Sequence, residues 1–382
     1  MLHETPKPLS IVFLGLSITS SWGNGHATNY RGIIRALAQR GHDCLFLERD
    51  QPWYADNRDM EHLPWGRVRI YRSLNDLKQR FAGAVQAADV VVLGSYVPQG
   101  IQVGNWLANA TRAVRVFYDI DTPITLASLA GSGCEYLTAE LIPMFDLYLS
   151  FTGGPTLRTL EHTYGSPMAR AFYCMVDPAI HRPASPAMPL RYDLGYLGTY
   201  SVDRQPGLNE LLIEPAHADP RHRFVVAGPQ FPESITWPGN VKRIEHLPPP
   251  RHRSFYSSQR FTLNITRAPM RQAGYSPSVR LFEAAACGTP IISDTWPGLD
   301  ELLEPGSEVL LAESREEVLR YLTQMPEPER RAVGERARRR ILREHTAEHR
   351  ALELEHHIAA VMAASPRADS SSTGTLAAEG SS

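Results

Sequence analysis

The sequence predicts an α/β protein made of two parallel-sheet domains in tandem, with a cleft between them. Short apolar runs alternate with helical patterns in both halves, and a proline-rich stretch without period separates the two series. The length of 382 residues favours two domains over one, and 43% hydrophobic with 21% charged residues is a globular composition.

The first run, Ser10 to Leu16, is short and apolar and reads as a buried parallel strand. Beyond it, Tyr30, Ile33, Ile34 and Leu37 share one face of a helix that Gly41 stops. Between strand and helix lies SSWGNGHATNYR. Backbone N–H groups at a helix start lack intrahelical partners and sit at the positive end of the dipole, so an anion or polar substrate fits there. Gly23, Asn24 and Gly25 form this loop, and His26 places a titratable ring at its mouth. A neutral imidazole in that position can take a hydroxyl proton, although capping the helix is the plainer role. The glycines match only part of a dinucleotide fingerprint, because Thr28 stands where the third would be. Glu48 and Asp50 after the next strand could still hold a ribose, which keeps an NAD-dependent oxidoreductase as an alternative.

The runs DCLFLE, ADVVVLGSY, AVRVFYDI and DLYLSF complete the first series. Ligands of open parallel sheets bind beyond the carboxyl ends of the strands, so strand-end residues are the candidates. Asp119 and Asp121 end one strand; they could bind an acceptor or orient His26, or hold a divalent metal, while Asp121-Thr-Pro also reads as a helix cap. Thr152, Gly153 and Gly154 end another and read as an acceptor-side loop or as turn chemistry.

After Asp177–Pro189 the second series runs DLGYLG, HRFVVAG, NVKRIEHL, FTLNIT, TPIISD and EVLLA. Gly198, Thr199 and Arg204 repeat the order strand, glycine, hydroxyl and cation, which suits a diphosphate, and Thr266 with Arg267 offers a second such pair. The most specific stretch is YSPSVRLFEAAACGTPIISD, from Tyr275 to Asp294. There Glu283 breaks the small apolar surface of a helix and needs a partner, either a ribose diol or Arg280 one turn earlier. The expected layout is a first domain over 1–180, a linker over 181–190, a second domain over 191–328, one C-terminal helix over 329–363 and a polar, disordered tail over 364–382. The cluster Arg336, Arg338, Arg339 and Arg340 reads as a solvated helix face.

A net charge of -2 leaves no electrostatic footprint for nucleic acid. No apolar run approaches the roughly 18 residues that cross a bilayer, and MLHETPKPLS lacks the pattern of a signal peptide, so a cytoplasmic protein is expected. Cys44, Cys134, Cys174 and Cys287 are isolated in the sequence and imply neither disulfides nor zinc.

RLFEAAACGTPIISD resembles the nucleotide-sugar signature of glycosyltransferases with the GT-B fold, in which two Rossmann-like domains face one another. Together with SSWGNGHATNYR, FYDIDTP, LSFTGGP and YLGTYSVDR it resembles the CgeB-like (spore-maturation-protein-like) glycosyltransferase family from about Ile11 to Leu311. The resemblance implies a hexosyltransferase-type enzyme that uses a nucleoside-diphosphate sugar as donor substrate, with neither cofactor nor bound metal. In that reading Glu283 holds the ribose, Gly198, Arg204, Arg267 and Arg280 hold the diphosphate, and Thr199, Thr266, Tyr275 and Ser278 complete the donor side. His26, with Asp119 or Asp121, would face the hydroxyl of an acceptor that is a glycan, lipid, small molecule or protein. Related retaining transferases carry a glutamate eight residues before the ribose glutamate, where this chain has Tyr275. Base, sugar, stereochemical outcome and oligomeric state stay open. The rivals are the oxidoreductase, a sugar-phosphate isomerase of similar build and a non-catalytic nucleotide-sugar-binding protein.

Overall fold

A computed structural model describes residues 7–60, 62–185 and 188–364, and the expected tail lies outside them except for Ala364. The first sheet is formed by β1 (Ser10–Gly15), β2 (Asp43–Arg49), β3 (Arg67–Tyr71), β4 (Val90–Gly94), β5 (Val114–Asp119), β6 (Leu147–Ser150) and β7 (Ala169–Ala171). All its pairings are parallel, in the order β3-β2-β1-β4-β5-β6-β7. The second sheet, also parallel, comprises β8 (Tyr192–Leu197), β9 (Phe224–Ala227), β10 (Val241–Ile244), β11 (Gln259–Asn264), β12 (Ile291–Ser293) and β13 (Leu310–Leu311). Its order, β10-β9-β8-β11-β12-β13, repeats that of the first six strands of the other sheet.

Helices on both faces explain the composition of the central strands. Every residue of β4 is buried, and each fully buried Val or Leu there stabilises the fold by about 1.5–3 kcal/mol. Two edge strands, β3 and β7, were not expected from the sequence. In β3 the arginines alternate with Val68 and Ile70, as an edge with little apolar burial allows, and β7 is only three residues long. In each sheet the order reverses beside the first strand of its series, β1 or β8, and the carboxyl ends at these reversals turn toward one another across the interdomain cleft.

The single C-terminal helix expected over 329–363 is instead two helices, Glu327–Glu344 and Ala347–Ala364. The break has a tertiary cause. Val176 donates its N–H to the His345 carbonyl (3.0 Å) and accepts from the Ala347 N–H (2.9 Å), so the chain is extended at Thr346. The first helix stays with the second domain, and Gly334 lets it approach so closely that a Cβ there would lie 2.3 Å from the Gly288 carbonyl oxygen. Its arginines are not simply solvated: Arg336 donates to the Ser307 carbonyl, Arg338 to Ala286 and Arg340 to Glu301.

The second helix crosses back to the first domain. Ala351, Leu354 and Ile358 enter the core that contains Ile33, Ile34 and Leu37. Arg40 grips Glu355 with two hydrogen bonds of 2.5 and 2.8 Å, and His42 Nε2 lies 2.8 Å from the same carboxylate. Among the described residues no helix is long and apolar enough to cross a membrane.

Candidate active site

The interdomain cleft holds a cavity of about 450 Å³, within the range of small-molecule sites. Its first-domain wall carries Gly23, Asn24, Gly25, His26 and Asp121, and its second-domain wall carries Gly198, Thr199, Arg204, Thr266, Arg267, Ser278, Arg280 and Glu283. Five other residues singled out in the sequence, Asp119, Thr152, Gly153, Gly154 and Tyr275, do not line it.

His26 opens the helix Ala27–Gln39 from the N-cap position, yet its side chain makes no capping hydrogen bond. Asn24 shapes the turn instead, accepting from the His26 N–H (3.1 Å) and donating to the Ser17 carbonyl (3.1 Å). The His26 ring rests on Phe151, with centroids 5.3 Å apart, and its buried Nδ1 has no partner among the described residues. Burial pushes its pKa down to about 4, so at neutral pH the ring is an uncharged acceptor facing the cleft.

Three guanidinium groups converge from the opposite wall. Arg280 donates to the Leu197 carbonyl (2.6 Å) and to Asn264 Oδ1 (2.7 Å), and it lies over the Tyr196 ring at 4.5 Å. The fit beneath it is tight, since a Cβ at Gly198 would stand 2.7 Å from Arg280 Nη2, which would have to shift. Arg204 is anchored through Nη2 to the Thr199 carbonyl (2.7 Å), while its buried Nε has no partner among the described residues. Burial, followed by the nearby charges of Arg280 and Arg267, lowers the Arg204 pKa. Arg267 reaches Asp203 at 3.4 Å and Asp121, across the cleft, at 3.8 Å. The hydroxyls are already committed: Thr266 Oγ1 donates to Asp294 (2.9 Å) and Ser278 Oγ to Asn264 Oδ1 (2.7 Å).

The two aspartates do not act as a pair in the cavity. Asp119 is fully buried, accepting from the Tyr148 hydroxyl (2.6 Å), the Thr125 hydroxyl (3.0 Å) and the Asp121 N–H (3.1 Å), and thereby shapes the turn. Asp121 does face the cleft, accepts from the Tyr96 hydroxyl (2.8 Å) and has its pKa raised by burial. Thr152, Gly153 and Tyr275 join the domains. The Gly153 N–H donates to the Tyr275 carbonyl (2.8 Å), and Thr152 Oγ1 lies 2.8 Å from Ser276 Oγ. A Cβ on Gly154 would meet the Tyr275 ring at 2.3 Å, so this loop serves the interdomain seam.

Of the two partners expected for Glu283, Arg280 is excluded because it points to Asn264. The carboxylate instead accepts from the Tyr256 hydroxyl (3.2 Å), with His252 Nδ1 at 3.1 Å and His181 Nε2 at 3.4 Å. Burial would raise its pKa, but the two histidines outweigh burial and hold it well below the usual carboxylate range. No local sequence pattern marks His181 or His252, because one lies in the proline-rich stretch between the two series and the other follows a run of prolines. The signal for His252 was its place in the connection after β10, the same strand-end logic that found the others.

Glu48 is not available to a dinucleotide. It is fully buried and accepts from the N–H groups of Ile18 (2.7 Å) and Thr19 (3.0 Å) and from the Thr19 hydroxyl (2.6 Å). Asp50 is paired with Arg58 at 2.9 Å. Replacing Glu48 by alanine strips three buried donors of their acceptor, at about 1–3 kcal/mol for each unsatisfied group. A thermal melt is expected to show a large drop in Tm, which an exposed ribose-binding carboxylate would not produce.

Residues 204–356 match the family described as glycosyl transferase-like. No curated protein sequence matches the chain. Among solved structures, sucrose-phosphate synthase from Thermosynechococcus elongatus superposes with a TM-score of 0.69 at 16% identity, covering 94% of this chain and 100% of that one. HepE from Anabaena, in complex with UDP-glucose, gives 0.67 at 14% identity over 92% of this chain and 100% of its own. AviGT4, a glycosyltransferase involved in avilamycin A biosynthesis, gives 0.63 at 17% identity over 94% and 99%. The fold is GT-B, and with the family match it classes the chain as an enzyme of the glycosyltransferase type.

Proposed function

We propose that the protein transfers a sugar from a nucleoside-diphosphate sugar to an acceptor hydroxyl, with no metal ion required. The observation that carries this reading is the convergence of Arg204, Arg267 and Arg280 on one wall of the cleft, with an uncharged His26 on the other. The acceptor oxygen forms its bond to the anomeric carbon as the bond from that carbon to the diphosphate oxygen breaks. His26 takes the hydroxyl proton, and the diphosphate leaves with the electron pair. Negative charge grows on the leaving group, where preorganised guanidinium donors stabilise it most and do the work a divalent cation would otherwise do. Glu283 takes the ribose hydroxyls. We further place the chain in the CgeB-like family and in the cytoplasm; its four cysteines are all free, as a reducing compartment allows.

UDP-glucose is the first donor to test, because HepE and an α-glucosyltransferase were solved with it. In a thermal-shift comparison of UDP-, GDP-, ADP-, CDP- and dTDP-sugars, one donor is expected to raise Tm with and without a chelator. At 100 times its dissociation constant the gain is about 2.7 kcal/mol. A shift that vanishes with chelator overturns metal independence, and a shift with NAD alone overturns the donor assignment. Binding without turnover of any acceptor leaves a nucleotide-sugar-binding protein.

A further inference from the structure

His252 has acceptors at both ring nitrogens. Nδ1 lies 3.1 Å from Glu283 Oε2, and Nε2 lies 3.1 Å from the Leu247 carbonyl oxygen. A carbonyl and an ionised carboxylate can only accept, so two hydrogen bonds require an N–H on each nitrogen, which only the imidazolium has. The ring is largely but not wholly buried, its side chain 13% exposed, and Leu247, His252 and Glu283 all line the cleft.

Resting on the donor reading above, we propose that His252 is a positioning residue that works as a doubly protonated imidazolium. Through one N–H it holds Glu283, and through the other it holds the loop carrying His246 and Leu247, so that both are set for the donor nucleotide. The two oxygens of Glu283 are treated unequally. Oε2 is held by His252 and the Tyr256 hydroxyl, whereas among the described residues Oε1 has only His181 Nε2 at 3.4 Å, beyond a good hydrogen bond. Oε1 is therefore the oxygen left for a ribose hydroxyl, and its direction depends on the grip on Oε2.

The titratable groups gathered around this point are Glu283 and Cys287 from the helix Val279–Ala286 and its cap, Tyr256 from the ring's own helix His252–Ser257, His181 from the linker, Cys174 after β7 and His246 from the loop. Glu283 is the anion nearest the ring; Arg280 points away to Asn264, and Arg253 donates to the carbonyls of Arg182 and Pro183. Burial alone would lower the His252 pKa, but the Glu283 charge, its hydrogen bond and the Leu247 carbonyl outweigh burial and raise it. A raised pKa means that the cation persists to higher pH than in an ordinary histidine and is lost as pH rises further. On losing one proton, the ring keeps one of its two hydrogen bonds.

The test is the dissociation constant of UDP-glucose between pH 5.5 and 8.5, measured by calorimetry on the wild type and on His252→Gln. A nucleotide-sugar diphosphate does not change charge in this window, unlike free UDP. Wild-type affinity is expected to fall as pH rises, by roughly 10–100-fold for a hydrogen bond to a charged group. The variant is expected to be weak throughout and flat, with KM for donor raised and kcat little changed. A flat wild-type profile, or a variant that keeps the wild-type slope, overturns the proposal. Nitrogen-15 spectra of the histidines at pH 7 decide the same point without a variant: imidazolium shifts at both His252 nitrogens support it and a neutral tautomer overturns it. If no nucleotide sugar binds at any pH, the donor reading fails instead, and the spectra still report the charge of the ring.

Discussion

Exchanging His26 for alanine is expected to lower kcat roughly 10²–10⁴-fold while leaving the donor's dissociation constant unchanged. The split follows from geometry. His26 stands on the first-domain wall, where its Nδ1 has no partner among the described residues, and the arginines proposed to hold the diphosphate stand on the other. The wild-type pH profile gives a second check. A general base must be uncharged, and burial holds the His26 pKa at about 4, so activity is expected to persist well below the ordinary histidine range and to fail near pH 4. Stability runs the same way. The unfolded chain binds a proton near pH 6.5 that the folded ring refuses until about 4, so this residue costs stability progressively as pH falls between those values. Asp121 is the competing base, because it too faces the cleft and burial raises its pKa. If His26→Ala retains turnover and Asp121→Asn abolishes it, the base is Asp121 and His26 serves the acceptor pocket only.

What could be read before the structure follows from where each signal resides. The central strands were legible because burial on both faces forces an apolar run, as in β1 and β4, while the edge strands β3 and β7 escape that requirement. The helix break at Thr346 was invisible, since the local sequence continues a helical pattern and the interruption comes from Val176, distant in the chain. The same division holds at the site. Strand-end position identified His26, Asp121, Arg204 and Arg267, and a carboxylate breaking an apolar helix surface identified Glu283; all of them line the cleft. It could not tell Asp121 from Asp119, because which of two neighbouring carboxylates turns outward is decided by Tyr148 and Thr125 on other segments. Nor could it foresee that Glu283 is gripped by His252 and Tyr256 rather than by Arg280, as both candidate helical partners and distant ones satisfy the same demand for a buried carboxylate.

Arg204→Ala carries the second large effect, and its sign differs between the free and the donor-bound protein. In the free protein Arg204 holds one carbonyl through Nη2, leaves a buried Nε without a partner among the described residues, and sits where burial and two neighbouring arginines disfavour its charge. Removing that charge relieves the repulsion, so the Tm of the free variant is expected to stay level or to rise. With a diphosphate in the cleft the same Nε is expected to gain an acceptor, and the charge that was unfavourable is expected to become the stabilising partner of the leaving group. The loss on that side is expected to be roughly 10²–10³ in kcat, the scale found when one preorganised donor to a developing anion is removed. Arg204→Lys is expected to recover only part of it, because an ammonium cannot hold the Thr199 carbonyl and a phosphate oxygen in one planar fork. Melting curves with and without donor, together with kcat for both variants, check these statements. A free variant that melts much lower while keeping its donor-induced shift and its turnover would make Arg204 a structural anchor of the loop after β8, and the leaving group would then have to be stabilised by Arg267 and Arg280.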